Sequence, residues 1–276
     1  MNIDNIINNY LDLGYESDDV ESKASQDILL SKISKSNFKK HITIKGGVVM
    51  HSISSDKRRV TRDLDLDFIK YSLDDNSIVN FINILNNVDD GIHIEIVGKI
   101  IPLHHQDYDE KRVFIRLIDK FDNYIDTKLD IGVHKLFEIE QDNYYFNLDA
   151  LDESVSLLIN SKEQIFTEKL KSLLKIGARS TRYKDLFDFY YLINDCELNK
   201  NKLIKSFNAY IYSDYLMREN NIYDIYERLS NILKSKIYRN NLSNPKVNWL
   251  DIEIDTAIEV VLNYIEELSK EFVVVW

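Results

Sequence analysis

Asp63, Asp65 and Asp67, at alternate positions with Leu64, Leu66 and Phe68 filling the sequence around them, are the residues of this chain best suited to chemistry. A period of two is that of a β-strand, which sends the apolar side chains to one face and the carboxylates to the other. Same-face neighbours on a strand stand roughly 6–7 Å apart, so two such carboxylates can hold a divalent cation between them. Three like charges on one face also repel unless a counter-ion is supplied. The plain alternative is an exposed strand face solvated by its acids. Upstream, Gly46-Gly47 precedes the apolar run Val48-Val49-Met50, and Lys57, Arg58, Arg59 and Arg62 cluster just before the aspartates. Glycines between a strand and a helix start let a phosphate approach the backbone and meet free N–H groups. Taken alone, such a pair is more often a turn.

A two-metal phosphoryl or nucleotidyl transfer site needs three carboxylates, a way to hold a triphosphate and a cation or two for the leaving group. Asp63 and Asp65 supply a metal-binding pair. Asp130, in TKLDIGVH, supplies a third acid on a later strand, able to bind a second metal and help deprotonate an attacking hydroxyl. Asp126 competes for that role, and the structural alternative for Asp130 is a strand-edge acid paired with Lys128. Gly46 and Gly47 would cradle the β- and γ-phosphates, and Lys169, in TEKLKSLL, would reach the triphosphate from the helical half. His104-His105 lacks a third ligand at a suitable spacing and reads as loop.

The elements that must position these residues follow from periodicity. Asn2–Tyr15 and the segment holding Val20, Ala24, Ile28, Leu29 and Ile33 have helical spacing, the second opened by cap-like Ser17-Asp18-Asp19. Ile42 and Ile44 form a short strand before the glycines, and a helix begins straight after them. Asp74–Leu85 is a helix. Runs at 93–97, 112–117 and 124–131 are strands separated by turn signals, which predicts a mixed α/β half with a largely meandering sheet. From about Ser161 the period is helical, with helices marked by Phe166–Leu174 and Leu186–Ile193 and further ones over Leu203–Leu216, Tyr223–Ile237 and Asp251–Leu268. The expected division is 1–155, an α/β domain, and 156–276, a helical domain. Tyr190, Tyr191, Tyr210, Tyr212 and Tyr215 read as packing, and the tail Phe272–Trp276 must dock somewhere.

Composition narrows the class. The 276 residues carry a net charge of −11, which counts against a general nucleic-acid-binding surface, but the basic residues are gathered. Besides the cluster before Asp63, Lys169, Lys171, Lys175, Arg179, Arg182 and Lys184 form a second stretch. Either a local phosphate site or a solvated helix face accounts for it. Cys196 is the one cysteine, so an intrachain disulfide and a zinc ribbon are excluded. No signal peptide or membrane-length apolar run is visible, and the expected location is cytoplasmic.

KGGVVM, RVTRDLDL, KLDIGV and EKLKSLL…RSTRYKDLFDFYYL, in that order over roughly residues 42–195, resemble the AbiEii/AbiGii-type toxin family of nucleotidyltransferases, a branch of the polymerase-β-like superfamily. The resemblance implies an α+β fold: a polymerase-β-like core with a mixed sheet and flanking helices, then an all-helical C-terminal domain that closes the nucleotide cleft. It implies a Mg²⁺-dependent enzyme with a two-metal site, an NTP substrate and an RNA acceptor such as tRNA. It also implies a role as toxin in an abortive-infection, phage-defence pair with an antitoxin encoded nearby. Carried over by motif, Gly46 and Gly47 contact phosphate, Asp63 and Asp65 bind metal and Asp130 is the third carboxylate. Lys169 contacts nucleotide, and Lys184 and Asp188 belong to the final helical motif, where an i, i+4 charge pair is the structural alternative. Asp67 departs from the family pattern and leaves Asp65/Asp67 as a competing metal pair; the phase of Arg59-Val60-Thr61 favours Asp63/Asp65. Lys184 stands where the family more often has Arg, which keeps charge and loses bidentate geometry. Acceptors of another class, a protein or a small molecule, and an NTP-binding module without transfer are the remaining readings.

Overall fold

Alternation in the first half and helical spacing in the second build two compact units, Met1–Asn160 and Ser161–Trp276. The computed structural model describes residues 1–103, 110–136 and 138–272. His104-His105 and the tail beyond Phe272 lie outside the described residues.

The first unit runs α1 (Ile3–Asp12), α2 (Ser17–Lys35), β1 (Ile42–Lys45), α3 (Gly46–Ser54), β2 (Leu64–Ile69) and α4 (Asp75–Asn86). It continues with β3 (Ile92–Ile96), β4 (Ile101–Leu103), β5 (Glu110–Asp119), β6 (Tyr124–His134), β7 (Asp142–Leu148) and β8 (Glu153–Ile159). The strands form one mixed sheet in the order β3-β5-β6-β2-β1-β8-β7, with β4 paired to β5. The runs expected to meander do so, since β3, β5 and β6 are successive antiparallel neighbours, while the sheet as a whole is mixed. The β5–β6 and β7–β8 pairs are antiparallel hairpin neighbours, but β2 lies parallel to β6 and β1 parallel to β8. Those parallel contacts bring residues far apart in the chain onto adjacent strands.

Leu64, Leu66 and Phe68 of β2, Ile42 and Ile44 of β1, and Leu129 and Ile131 of β6 are all buried on one face. Phe68 sits there in an aromatic cluster, 5.5 Å from Phe38 and 5.4 Å from both Phe81 and Tyr71 between ring centres. Helix α2 also departs from expectation. The spacing of Val20, Ala24, Ile28 and Ile33 marks one face of an amphipathic helix, yet the helix is buried on nearly all sides from Lys23 to Ile33, including Gln26, Asp27 and Lys32. Its polar groups are therefore paired: Lys32 lies 2.8 Å from Asp90, and Asp27 meets both Lys23 and the Tyr10 hydroxyl. Ser17–Asp19 form its first turn rather than its cap, and the acids there favour the positive end of the helix dipole.

Strands β7 and β8, which periodicity did not separate from their surroundings, complete the sheet. Because β8 runs to Ile159 beside β1, the first unit ends at Asn160, whose side chain accepts from Thr43 Oγ1 at 3.0 Å.

The second unit comprises α5 (Lys162–Ile176), α6 (Lys184–Asp195), α7 (Lys200–Phe207), α8 (Ile222–Leu233), α9 (Lys236–Arg239) and α10 (Ile254–Glu271). Ser161 caps α5 by accepting from Gln164 N–H. Helix α7 gives way to a π-helical turn over Asn208–Tyr212, so the expected single helix to Leu216 is broken. Phe166, Leu170, Leu173, Leu186, Phe189, Ile225, Leu229, Val261 and Ile265 are buried as this unit's core. No helix among the described residues is long and apolar enough to cross a membrane.

Candidate active site

The polar face of the sheet carries a row of four charged residues across four strands. Lys45 of β1 stands opposite Asp65 of β2, Asp65 beside Asp130 of β6, and Asp130 opposite Arg112 of β5. One step along, Thr43, Asp67 and Gly132 form the next row. Asp63 immediately precedes β2, on the loop that Gln26 of α2 holds by donating to Thr61 O at 2.7 Å. Backbone register, not local sequence, therefore sets the carboxylates side by side.

Gly46 opens α3 directly over Asp65. Its φ of +68° favours glycine, and a Cβ there would come within 2.3 Å of Asp65 Oδ2. A Cβ on Gly47 would come within 2.6 Å of Thr61 Oγ1. The glycine pair thus makes room for the carboxylate and its loop, as well as leaving the α3 N-terminus open. Gly132 does the same for Asp67, whose Oδ1 would lie 2.3 Å from an added Cβ.

Charge pairing across this face is dense. Arg112 donates through Nε and Nη2 to the two oxygens of Asp130 at 2.8 and 2.7 Å. Lys128 lies 3.0 Å from Asp63, so it is Asp63, not Asp130, that Lys128 neutralises. Asp126, the competitor for the third-carboxylate role, is exposed and held by Arg116 in a bidentate pair at 2.7 and 2.8 Å. Lys45 Nζ reaches Asp67 at 2.7 Å and Glu110 at 2.8 Å. Asp67 is buried, and it anchors Lys45 beneath the Asp65–Asp130 row. Asp65 has no such direct ion pair among those described. Burial raises its carboxyl to about 6; Lys45 opposes the rise, and the charges of Asp130, Asp63 and Glu110 add to it. Among the described residues of this patch, five carboxylates meet three cations, an excess of two negative charges.

All the acids here are hard oxygen donors, the kind that hold Mg²⁺, and the excess charge matches one divalent cation. As arranged, no group of three or more His, Cys, Asp or Glu among the described residues stands ready to hold a metal ion. The donors fit in type and register, while Arg112 and Lys128 occupy two of them. A cavity of about 440 Å³ borders the patch, lined by Arg62, Asp63, Phe114 and Lys128 among others. Of the basic loop before Asp63, Arg59 is buried, Arg58 pairs with Asp56 and Lys57 donates to Leu13 O, while Arg62 is exposed and faces this cavity.

The second unit gathers a different set. Lys169 of α5 is buried between Asp185, at 2.6 Å, and Asp188, at 2.9 Å, both on α6. Asp188 also accepts from the indole N–H of buried Trp249 at 3.1 Å. Asp188 is thus paired to Lys169 across two helices. Lys184 is the first residue of α6 and half-buried. Arg179 and Arg182 are exposed, Tyr210 is buried and accepts from Gln164 at 2.7 Å, and Tyr215 is 92% exposed.

Sequence reasoning missed Lys45, Arg112, Glu110 and Gly132 in the first unit and Trp249 in the second. Arg112 alternates with Phe114 and Arg116 along β5, which shows that they share a face but not which face.

Residues 27–258 match the family model described as "Nucleotidyl transferase AbiEii toxin, Type IV TA system". The chain belongs to the AbiEii nucleotidyltransferase toxin family. It is accordingly a nucleotidyltransferase of a toxin–antitoxin system, and the mixed sheet, flanking helices and C-terminal helical region are its version of that architecture. Among solved structures, it is similar to an antigenic nucleotidyltransferase-like protein from Paracoccidioides brasiliensis. The two share 17% identity over 89% of this chain and 94% of that one, with a TM-score of 0.40. Comparison with curated protein sequences gives no match.

Proposed function

We propose that this AbiEii-family chain transfers a nucleoside monophosphate from an NTP to a hydroxyl of an RNA acceptor such as tRNA, releasing pyrophosphate, with Mg²⁺ as cofactor. The observation that carries the proposal is the row Lys45–Asp65–Asp130–Arg112, with Gly46-Gly47 and the start of α3 beside Asp65. Asp63, Asp65 and Asp130 would hold the metal. A divalent cation held there would supply charge neutralisation at the phosphate and would lower the pKa of the attacking hydroxyl. The protein does the rest by position. The backbone N–H groups of Gly46-Gly47 and the α3 N-terminus bind the β- and γ-phosphates and hold the leaving group. The acceptor oxygen would then bond to the α-phosphorus as the bond to pyrophosphate breaks, and the Asp130 carboxylate would take the hydroxyl proton. The cavity beside Asp63 and Lys128 is large enough for one nucleoside, and Phe114 gives it an aromatic wall. A toxin working on RNA in the cytoplasm, opposed by an antitoxin encoded nearby, is the biological setting this reading implies.

Incubating the protein with each labelled NTP, Mg²⁺ and total RNA tests it. Label in a ribonuclease-sensitive product, lost in Asp65→Ala, is the expected result. Label in a protein or small molecule would overturn the acceptor, and no transfer from any NTP would overturn the activity. The nucleotide-binding part expected of Lys169, Lys184 and Asp188 is tested alongside. Lys184→Ala should raise KM for NTP without lowering the melting temperature; an unchanged KM would remove Lys184 from the site.

A further inference from the structure

The pair that joins Arg112 to Asp130 differs from the other ion pairs of the patch. Both oxygens of Asp130 are taken, by two donors of one planar guanidinium, at 2.8 and 2.7 Å. The two residues stand opposite each other in register on adjacent antiparallel strands, so the backbone holds them face to face. The Asp130 side chain is 10% exposed and that of Arg112 is 30% exposed. The pair is shielded at its carboxylate end and open at its arginine end. Lys128, by contrast, touches Asp63 through a single ammonium, and both side chains are about one-third exposed, so water competes for that contact. A bidentate pair on a shielded carboxylate is the stronger hold.

A carboxylate whose two oxygens both accept from a guanidinium has its charge compensated and its best lone pairs in use. It holds a divalent cation more weakly while the arginine stays. Nor can Arg112 leave for water without leaving Asp130 uncompensated beside Asp65 and Asp63. Release becomes favourable when two things arrive together: a cation for the carboxylate and an anion for the guanidinium. A nucleoside triphosphate carrying a divalent cation brings both, because phosphate oxygens accept from the same planar fork.

We infer that Arg112 closes the metal site of the free protein by occupying Asp130, and that it opens the site by transferring its guanidinium to a phosphate of the incoming metal–nucleotide complex. This rests on the carboxylate reading proposed above. Arg112 is a positioning residue under this inference until substrate arrives, and a phosphate ligand afterwards. Metal and nucleotide binding are therefore coupled through one side chain, and each must tighten the other by the same factor.

Mn²⁺ alone is the probe, its unbound fraction read from the electron paramagnetic resonance signal of the free ion, on the full chain. Wild type, Arg112→Ala, Arg112→Lys and Asp130→Ala are titrated with and without a non-hydrolysable NTP analogue. Without nucleotide, Arg112→Ala should bind Mn²⁺ at least tenfold more tightly than wild type, with Arg112→Lys between them. Adding the analogue should tighten Mn²⁺ binding in wild type and do so far less in Arg112→Ala. Equal Mn²⁺ affinity in wild type and Arg112→Ala, with binding lost in Asp130→Ala, would overturn the gate and leave the metal-site reading standing. Undiminished binding in Asp130→Ala would overturn the site reading itself, and the inference with it. Should Arg112→Ala fail to fold, Arg112→Lys decides: it keeps the charge but loses the fork, and affinity equal to wild type would count against the inference.

Discussion

Replacing Asp65 with Asn should make the protein more stable at neutral pH while removing transfer activity. Burial and the neighbouring charges of Asp130, Asp63 and Glu110 raise the Asp65 carboxyl from 3.8 to about 6. The folded state therefore binds a proton more tightly than the unfolded chain does. Stability contributed by that proton is complete below the unfolded value and is lost as pH rises through about 6. At about 1.36 kcal/mol per pKa unit, the wild type forfeits roughly 3 kcal/mol at pH 7.5 and roughly 1 kcal/mol at pH 4.5, as ceilings before solvent relaxation. Asn is isosteric and never ionises, so it keeps the shape beneath Gly46 and escapes the penalty. Melting of both proteins in metal-free buffer at the two pH values reads the effect. At roughly 2–4 °C per kcal/mol for a chain of this size class, the expected gain at pH 7.5 is several degrees, shrinking at pH 4.5. A gain that fails to shrink at the lower pH, or a loss at pH 7.5, would refute the electrostatic reasoning. Adding Mg²⁺ together with a non-hydrolysable NTP analogue should then stabilise the wild type and leave Asp65→Asn far less affected.

Three further outcomes follow from the same geometry. Gly132→Ala drives a Cβ to within 2.3 Å of Asp67 Oδ1 and should break the Lys45–Asp67 pair, costing about 1–3 kcal/mol in denaturant unfolding. Lys169→Ala leaves Asp185 and Asp188 buried with one partner fewer and should destabilise the helical unit by about 3–5 kcal/mol; restoring stability by adding Asp185→Asn would confirm the cause. Burial, with help from Lys23, lowers His51 to about 4, so it folds neutral and stability is lost as pH falls from about 6.5 toward about 4. His51→Gln should flatten that acid limb in melts between pH 7 and 4.5, and an unchanged limb would show that His51 does not set it.

Much of the site's chemistry lies in local pattern, and much of its control does not. The alternation Leu64-Asp65-Leu66-Asp67-Phe68 shows both the strand and which side is polar, because burial on one face imposes a period of two. Gly46-Gly47 is legible for a similar reason: a left-handed φ and a close side chain leave few other residues possible. The partners of the carboxylates are a matter of register. Asp65 meets Asp130 only because β2 lies parallel to β6, and Arg112 reaches Asp130 only because β5 runs back along it. No spacing in the chain encodes those contacts. Strand β8 was hidden for another reason: its Leu157-Leu158-Ile159 run leads straight into α5, so period two merges with period 3.6 where the domains were to be divided. Helix α2 shows the converse, since a helix buried all round has no stripe to read, and its charges become legible only with their partners.

The glycines show why a motif and its mechanism need separate tests. Gly46 is expected to bind phosphate, yet its Cα also lies where any Cβ would strike the Asp65 carboxylate. Gly46→Ala would therefore remove activity whether or not the backbone at that point ever meets a phosphate. The loss would come through a displaced metal ligand in one case and a blocked anion site in the other. Metal affinity separates the two. A displaced Asp65 weakens Mn²⁺ binding in the absence of nucleotide, whereas a blocked cradle leaves it intact and weakens only the nucleotide. The same distinction applies to Gly132, which touches Asp67 and no part of the proposed phosphate cradle. If Gly132→Ala and Gly46→Ala both weaken Mn²⁺ alone, the glycines of this face serve the carboxylates first, and the phosphate role of Gly46 has to be shown by nucleotide affinity measured at saturating metal.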